Sequence, residues 1–158
     1  MHSRKYIHYG NNKYIKEMFR PIRNHGFLTK PTGGLWASPL FAELGWKDWC
    51  IRENFCVYSL EKYFTFTLSE SANVYHIYKV ADLYALPIQT NKSSRVMLEY
   101  LYCIDFEKCI ELGYDAIELH LSEEDVTGVD FMNRLYFQLY GWDCDSILIM
   151  NPEVIVCE

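Results

Sequence analysis

The sequence predicts an α+β fold with a mostly antiparallel sheet and short helices. Short strand-like segments follow one another with brief helical segments between them, and no regular strand–helix–strand repeat is present. The chain also lacks a Gly-x-Gly-x-x-Gly motif after a strand and a P-loop, so a doubly wound dinucleotide fold is not expected. Its 158 residues fit a single domain over positions 1–158.

The first part of the chain is predicted to hold two short strands. Lys5–Tyr9 is the first, and the turn-forming residues after it separate it from a short helix over Lys13–Phe19. A turn at Pro31–Gly34 precedes the second strand, Leu35–Ser38, which a proline stops.

A helix and a pair of strands are predicted next. Apolar residues near a 3.6-residue spacing predict a helix over Leu40–Arg52. Tyr63–Leu68 and Val74–Val80 both alternate with period 2, and the short link Ser69–Asn73 predicts that they pair antiparallel. Ala81–Leu86 is predicted as one helical turn or more.

Turn and capping residues organise the middle of the chain. Leu86–Ser94 is rich in turn-forming residues and is predicted as a long loop. Asp105 can cap a helix over Phe106–Leu112, and Gly113 stands where a left-handed residue ends such a helix.

Two more strands and a helix complete the predicted fold. Ala116–Leu121 alternates with period 2, so Ile117, Leu119 and Leu121 share one face. Helical spacing predicts a helix over Val129–Tyr140, and Ser146–Met150 has the composition of a buried final strand.

Composition and charge exclude several classes of protein. Half of the residues are hydrophobic and 23% are charged, which excludes a disordered or collagen-like chain. No apolar run is long enough to span a bilayer, and the N-terminus has no apolar signal stretch, so a cytoplasmic, membrane-free protein is expected. The net charge of −6 argues against broad nucleic-acid binding, although positions 1–31 carry seven of the 15 basic residues and one acid.

The cysteine pattern indicates reduced thiols. The six cysteines form no Cys-x-x-Cys pair, and no histidine spacing marks a metal site, so no metal is expected.

Three segments beside predicted strands carry candidate functional residues. At the end of the first strand, His8 offers a directed imidazole, and Gly10 lets a ligand approach the backbone closely. In Gly34–Ser38, Trp36 supplies a flat face that can stack on a planar ring, although core filling explains it equally well. The neighbouring aromatic cluster Gly45–Cys50 offers further rings with the same two interpretations.

The third segment precedes the final predicted strand. Asp143 and Asp145 are two residues apart, and on an extended chain they would lie on the same side. Paired carboxylates of this kind serve as a general base or stabilise a cation, whereas a solvated turn is the plain alternative.

Taken in this order, the segments resemble the ADP-ribosyltransferase fold family. His8 with Gly10 is similar to the family's His-Gly site, with Tyr9 inserted. Gly34–Ser38 is similar to the Gly-Ile-Tyr-Phe-Ala strand of the poly(ADP-ribose) polymerase-like branch, with Trp36 at the Tyr position.

Three further stretches extend the resemblance to the rest of the chain. Asp48-Trp49-Cys50 resembles that branch's Asn-Tyr-Cys, and Gly113–Ile117 is similar to a stretch of small bacterial and phage members. The final strand resembles the branch's acid-led strand, with Asp145 in place of the usual Glu and Asp143 where some relatives place the first acid of Glu-x-Glu.

The resemblance implies a split, mostly antiparallel sheet and an NAD-dependent mono-ADP-ribosyltransferase that releases nicotinamide. His8, Tyr9 and the Gly10 backbone would bind the adenosine ribose, Trp36 and Trp49 would clamp nicotinamide, and Ser38 would lie near the nicotinamide ribose.

The catalytic roles and the acceptor follow from the same resemblance. Asp145 would stabilise the oxocarbenium-like cation, and Asp143 would orient or deprotonate the acceptor. That acceptor, whether protein, nucleic acid or small molecule, is not identifiable from the sequence, and a phage-encoded member would act in the host cytoplasm.

Three alternatives stay open. A degenerate member would bind a nucleotide or partner without turnover, and a plain interaction module, such as a phage-encoded inhibitor of a host protein, would use the aromatics as a contact surface. An RNA 2′-phosphotransferase-like enzyme would use basic residues for the phosphate, and Arg20, Arg23 and Lys30 are available.

Overall fold

The computed structural model describes residues 4–25, 29–90, 101–130 and 134–157. Within these ranges seven strands form one sheet in the order β4-β5-β6-β2-β1-β3-β7, and every neighbouring pair except β4–β5 is antiparallel. The strands are β1 Lys5–Tyr9, β2 Leu35–Pro39, β3 Tyr63–Leu68, β4 Val74–Ile77, β5 Ala116–Leu119, β6 Ser146–Ile149 and β7 Ile155–Cys157. The predicted mostly antiparallel sheet is confirmed.

The helices are short, as predicted. They are α1 Trp46–Glu53, α2 Val80–Leu83, α3 Phe106–Glu111, α4 Glu123–Thr127 and α5 Leu135–Gln138, with 3₁₀ turns at Lys16–Met18, Val57–Glu61 and Pro152–Val154. Asp105 caps α3 as expected, because its side chain accepts a hydrogen bond from the Lys108 amide. Across the described ranges, every helix is too short or too polar to cross a bilayer.

The predicted hairpin between Tyr63–Leu68 and Val74–Val80 is wrong. β3 lies between β1 and β7, whereas β4 lies at the opposite edge of the sheet and pairs parallel with β5. Both segments form strands, but they do not pair with each other. The alternation along β3 does hold: Phe64 and Phe66 are buried in one apolar cluster, and Leu68 packs against it.

Several predicted boundaries also move. The helix predicted over Leu40–Arg52 begins only at Trp46, after Gly45, and Lys13–Phe19 forms no more than a 3₁₀ turn. Within the described part of Val129–Tyr140, the helix is confined to α5.

Three further differences concern the second half of the chain. Residues 91–94 of the predicted loop Leu86–Ser94 lie outside the described ranges. Helix α4 and strand β7 were not predicted, because a five-residue helix and a three-residue strand are too short to show a clear periodicity.

The sheet separates two apolar clusters. One face, here called the helix face, is covered by α2, α3 and α5, and Ile117, Leu119 and Leu148 point into it. Side chains alternate along each strand, so Ala116 and Ile147 lie on the other face, here called the second face.

The hydrogen-bonded ladder between β1 and β2 is short, and this contact is here called the seam. Only Tyr6–Pro39 and Ile7–Ser38 are paired there, whereas β2 continues along β6 and β1 continues along β3. The end of β1 and the start of β2 therefore belong to different ladders.

Candidate functional site

A cavity of about 270 Å³ lies at the seam. Trp36 and Ser38 alternate onto the helix face, and Ile7 pairs with Ser38 across the seam. His8 lies on the second face with Tyr6, and its ring packs on Phe64 at 5.1 Å between centroids. The lining consists of Ile7, His8, Tyr9, Lys30, Trp36, Ala37, Ser38, Trp46, Asp143, Cys144 and Ser146. Five residues expected at a binding or catalytic site therefore meet here: His8, Tyr9, Trp36, Ser38 and Asp143.

His8 is fixed by a backbone carbonyl across the seam. Its Nδ1 lies 2.6 Å from the carbonyl oxygen of Trp36, and because that oxygen only accepts, Nδ1 carries the proton. Burial lowers the pKa of His8, which favours the neutral imidazole. The second ring nitrogen, Nε2, then has an unprotonated lone pair, and the Asn11 side-chain amide nitrogen lies 3.5 Å from it. His8 thus presents an acceptor to a ligand, rather than the donor its position suggests.

Lys30 and Asp143 place opposite charges in the cavity wall. The Lys30 ammonium lies 4.9 Å from the centroid of the Trp36 ring, within the range of a cation–π contact. Burial lowers the pKa of Lys30 and raises the pKa of Asp143, and in each case the charge of the other residue opposes the shift. A ligand in the cavity meets both a cation and a carboxylate.

The aromatic wall differs from the predicted arrangement. Trp46 lines the cavity, and Trp49, one helical turn further along α1, stacks behind it at 5.2 Å between ring centroids. Trp36 packs edge-to-face on the buried Trp142 at 4.7 Å. The indole rings in the lining are therefore those of Trp36 and Trp46, and Trp49 packs on Trp46 without lining the cavity.

The hydroxyl of Ser38 joins three elements. It donates a hydrogen bond to the Asp145 carbonyl and accepts one from the Trp46 amide, both at 2.9 Å. Ser38 is 2% exposed, so both contacts are shielded from water. Its position at the cavity is as expected, but its hydrogen-bonding capacity is used to hold α1 and the start of β6 against β2.

Asp143 and Asp145 do not point to the same side. A bend at Cys144 interrupts the extended chain, so the expected alternation does not apply. Asp143 lines the cavity, whereas Asp145 is absent from the lining, and its Oδ1 accepts a 2.6 Å hydrogen bond from the Leu121 amide. Between them, burial raises the pKa of the Cys144 thiol to about 12, so it is not a thiolate at neutral pH.

A second, smaller cavity of about 210 Å³ shares His8 with the first. It is lined by His8, Asn11, Lys13, Tyr14, Ile15, Met18, Phe19, Gly34, Leu35 and Phe64. Gly10, the other residue expected to bind a ligand, lies just outside it with a φ of 109°, a conformation that side-chain-bearing residues rarely adopt. The two cavities give a ligand two adjacent compartments with one shared imidazole.

The positions of Lys30 and Ser146 in the cavity wall were not predicted. The sequence suggests Lys30 only as a phosphate contact and Ser146 only as part of the final strand, whereas both line the cavity. The missing signal is tertiary, because only the fold brings these remote residues together.

The chain was compared with family models, with curated proteins and with solved structures, and no match was found.

Proposed function

We propose that the cavity at the seam binds NAD and that the protein is an NAD-dependent mono-ADP-ribosyltransferase. The observation that carries this proposal is the convergence of His8, Trp36 and Asp143, which are remote in sequence, on one cavity. These three groups suit NAD. An imidazole acceptor can bind a ribose hydroxyl, and an aromatic wall can stack on the cationic nicotinamide ring. A carboxylate can stabilise positive charge when the bond between ribose and nicotinamide breaks.

The size and arrangement of the two cavities support a dinucleotide. A cavity of about 270 Å³ is smaller than the ~300–1,000 Å³ of most small-molecule pockets, so it accommodates one half of NAD. The second cavity can take the other half, and His8 lies between them. Lys30 and Lys13, one in each lining, supply positive charge for the pyrophosphate that joins the halves.

The side chains have complementary tasks in this proposal. His8 Nε2 accepts a hydrogen bond from a ribose hydroxyl, because its Nδ1 proton is already bound by the Trp36 carbonyl. Trp36 and Trp46 bound the nicotinamide ring, with a stacking gain of ~0.5–1.5 kcal/mol per aromatic pair. Trp49 contributes by holding Trp46 in place.

In the reaction, the bond between ribose C1′ and the nicotinamide nitrogen breaks, and its electron pair leaves with nicotinamide. Positive charge develops on the ribose until the acceptor's nucleophile bonds to C1′ and loses its proton to solvent. Asp143 is the carboxylate of the cavity lining, so we assign it the stabilisation of this charge, a role that the resemblance gives to Asp145.

One observation favours a second candidate, a protein that binds NAD without turnover. The Asp145 carboxylate is engaged with the Leu121 amide and does not line the cavity. If Asp145 is the acid that catalysis requires, this arrangement supports binding alone.

The RNA 2′-phosphotransferase alternative gains no support from the geometry. Of the three basic residues proposed for it, Lys30 alone lines the cavity, whereas Arg23 pairs with Glu107 at 3.4 Å.

The matched variants Asp143→Asn and Asp145→Asn test the proposal, since each removes one charge with little change of size. With purified protein and NAD, nicotinamide release is expected to fall about 10²–10³-fold in Asp143→Asn. Asp145→Asn is expected to stay within a few-fold of wild type.

The other outcomes are equally informative. The reverse order of the two variants would return the catalytic role to Asp145. Saturable NAD binding without nicotinamide release in the wild type would establish the non-catalytic candidate, and absence of NAD binding at millimolar concentration would contradict both.

A further inference from the structure

We infer that the second face of the sheet carries a binding site for one divalent first-row transition-metal ion, formed by His76, Glu118 and His120. The site is separate from the cavity at the seam and does not depend on its function. Zn²⁺ is the reference ion, because two imidazoles and a carboxylate are a ligand set that zinc commonly takes in proteins.

The strand register brings the three side chains together. Glu118 and His120 are two residues apart at the end of β5, so they lie on the same face. His76 stands directly beside Glu118 on the parallel strand β4. This pairing is non-local, and for that reason the histidine spacing in the sequence gave no indication of it.

The distances suit a common ion. His76 Nδ1 lies 3.0 Å from His120 Nε2 and 3.4 Å from Glu118 Oε2, and His120 Nε2 lies 3.9 Å from Glu118 Oε1. One ligand atom can be chosen from each residue so that all three lie within 4.8 Å of one another. Bonds of ~2.1 Å at octahedral to tetrahedral angles separate ligand atoms by about 3.0–3.4 Å, so small side-chain shifts complete the set.

Glu118 is a buried carboxylate with unused coordinating capacity. Its side chain is fully buried, and its Oε1 accepts no hydrogen bond from the described residues. The nearest cation is Arg4, whose Nη1 lies 3.3 Å from Oε1 and whose side chain is 48% exposed. Arg4 can therefore turn into solvent when an ion takes its place beside the carboxylate.

The surrounding groups favour a metal ligand set. The Tyr6 hydroxyl donates a 2.9 Å hydrogen bond to Glu118 Oε2 and so orients the carboxylate, as groups behind metal ligands often do. The Tyr78 ring stacks on His120 at 4.2 Å between centroids and fixes the plane of its ring.

The chemistry of the ligands selects among ions. Two nitrogen ligands favour Zn²⁺, Co²⁺ and Ni²⁺ over Mg²⁺ and Ca²⁺, which prefer oxygen. His76 is 39% exposed, so solvent reaches one side of the cluster and a water molecule can complete the coordination. A single ion needs no larger cavity, since the coordinating atoms of the three side chains already face one another.

Zn²⁺ titration of metal-free protein, by calorimetry in a Cys157→Ser background that removes the exposed thiol, tests the site. One ion per chain is expected to bind, Mg²⁺ is expected not to compete, and affinity is expected to fall more than tenfold in His76→Ala and in His120→Ala. His8→Asn serves as the matched histidine control and is expected to bind Zn²⁺ like wild type. Co²⁺ loading should also give visible absorption bands that both cluster variants lack.

His76→Ala keeps the test decisive if the less exposed His120 is needed for folding, because His76 lies at the solvent side of the cluster. Absence of saturable Zn²⁺ binding in the wild type would overturn the inference. Equal Zn²⁺ affinity in wild type and folded His76→Ala would overturn it as well, since the ion would then lie elsewhere.

Discussion

The cavity at the seam and the cluster on the second face use similar side chains for different purposes. At the cavity, His8 and Asp143 border about 270 Å³ of space, enough for part of an organic ligand. On the second face, His76, His120 and Glu118 point their ligand atoms at one another at distances of 3.0–3.9 Å, which leaves room for an ion. The class of ligand is thus set by the space between the groups, and residue type alone does not decide it.

The two sites also differ in how their polar groups are satisfied. At the cavity, the Ser38 hydroxyl and His8 Nδ1 are bound to backbone groups, so the remaining hydrogen-bonding and charged groups are His8 Nε2, Lys30 and Asp143. At the cluster on the second face, Glu118 Oε1 is buried and accepts no hydrogen bond from the described residues. Variants at the cavity are therefore expected to change NAD binding or folding, and variants at the cluster are expected to change metal binding.

The largest effect on folding is expected from Trp36→Ala. The ring packs on Trp142 and under the Lys30 ammonium, so its removal opens a void and should lower the free energy of unfolding by about 3 kcal/mol. Urea unfolding measures this, and NAD-induced quenching of tryptophan fluorescence should largely disappear. Zn²⁺ binding is expected to persist in Trp36→Ala and serves as the control. Wild-type stability and wild-type NAD affinity in this variant would show that Trp36 does not form a wall of the site.

Ser38→Ala is expected to lower the free energy of unfolding by about 2 kcal/mol. The change removes two buried hydrogen bonds and leaves the Trp46 amide without its acceptor. Ser146→Ala is the matched control, because that hydroxyl makes one hydrogen bond, to the Cys144 carbonyl, and should cost about 1 kcal/mol. Equal destabilisation of the two variants in urea would contradict the joining role of Ser38.

His8 variants are expected to change NAD affinity about tenfold, the equivalent of ~1.4 kcal/mol. His8→Asn can keep a donor to the Trp36 carbonyl but has no acceptor at the position of Nε2, so it should bind NAD weakly and remain folded. His8→Gln can place an amide oxygen nearer that position and should recover part of the affinity. Calorimetry would count against an Nε2 acceptor if both variants bound NAD like wild type.

The smallest expected effect is a pH dependence from Asp143. Burial raises its pKa in the folded protein above the usual 3.8, so the folded chain holds this proton to higher pH than the unfolded chain. Protonated Asp143 therefore favours the folded state. This stabilisation of the fold is complete below the usual pKa and is lost as pH rises through the raised pKa. The free energy of unfolding of Asp143→Asn, relative to wild type, should therefore increase over this window, and a difference constant with pH would contradict the burial of the carboxylate.

Local patterns predicted the elements better than their pairing. Asp105 and Gly113 mark the two ends of α3, because capping and left-handed residues act within one turn. The pairing of β3 with β1 and β7 could not be derived from alternation, since a short polar link is also compatible with a strand that crosses to another part of the sheet. The buried pattern of β5 on both faces likewise reflects its interior place between β4 and β6.

The candidate site was predictable in part. His8, Trp36, Ser38 and Asp143 follow from short motifs at strand ends, and all of them line the cavity. The sequence analysis expects Trp49 in the cavity wall, whereas the structure has Trp46 there. This difference was not predictable, because it depends on the residue at which α1 begins. Asp145 was placed by assuming extended chain through a bend. The cluster of His76 with Glu118 and His120 was not predicted, because it depends on the parallel pairing of β4 with β5 and leaves no trace in the histidine spacing.

The most direct test of NAD binding at the seam uses the indole N–H signals of the four tryptophans, recorded by ¹⁵N–¹H NMR spectroscopy during titration with NAD. NAD in the cavity should shift the signals of Trp36 and Trp46, which line it, more than that of Trp142, which is buried behind Trp36. Assignment follows from single Trp→Phe variants, and Zn²⁺ should leave the Trp36 and Trp46 signals in place. Unchanged signals for Trp36 and Trp46 at millimolar NAD would contradict NAD binding at the seam.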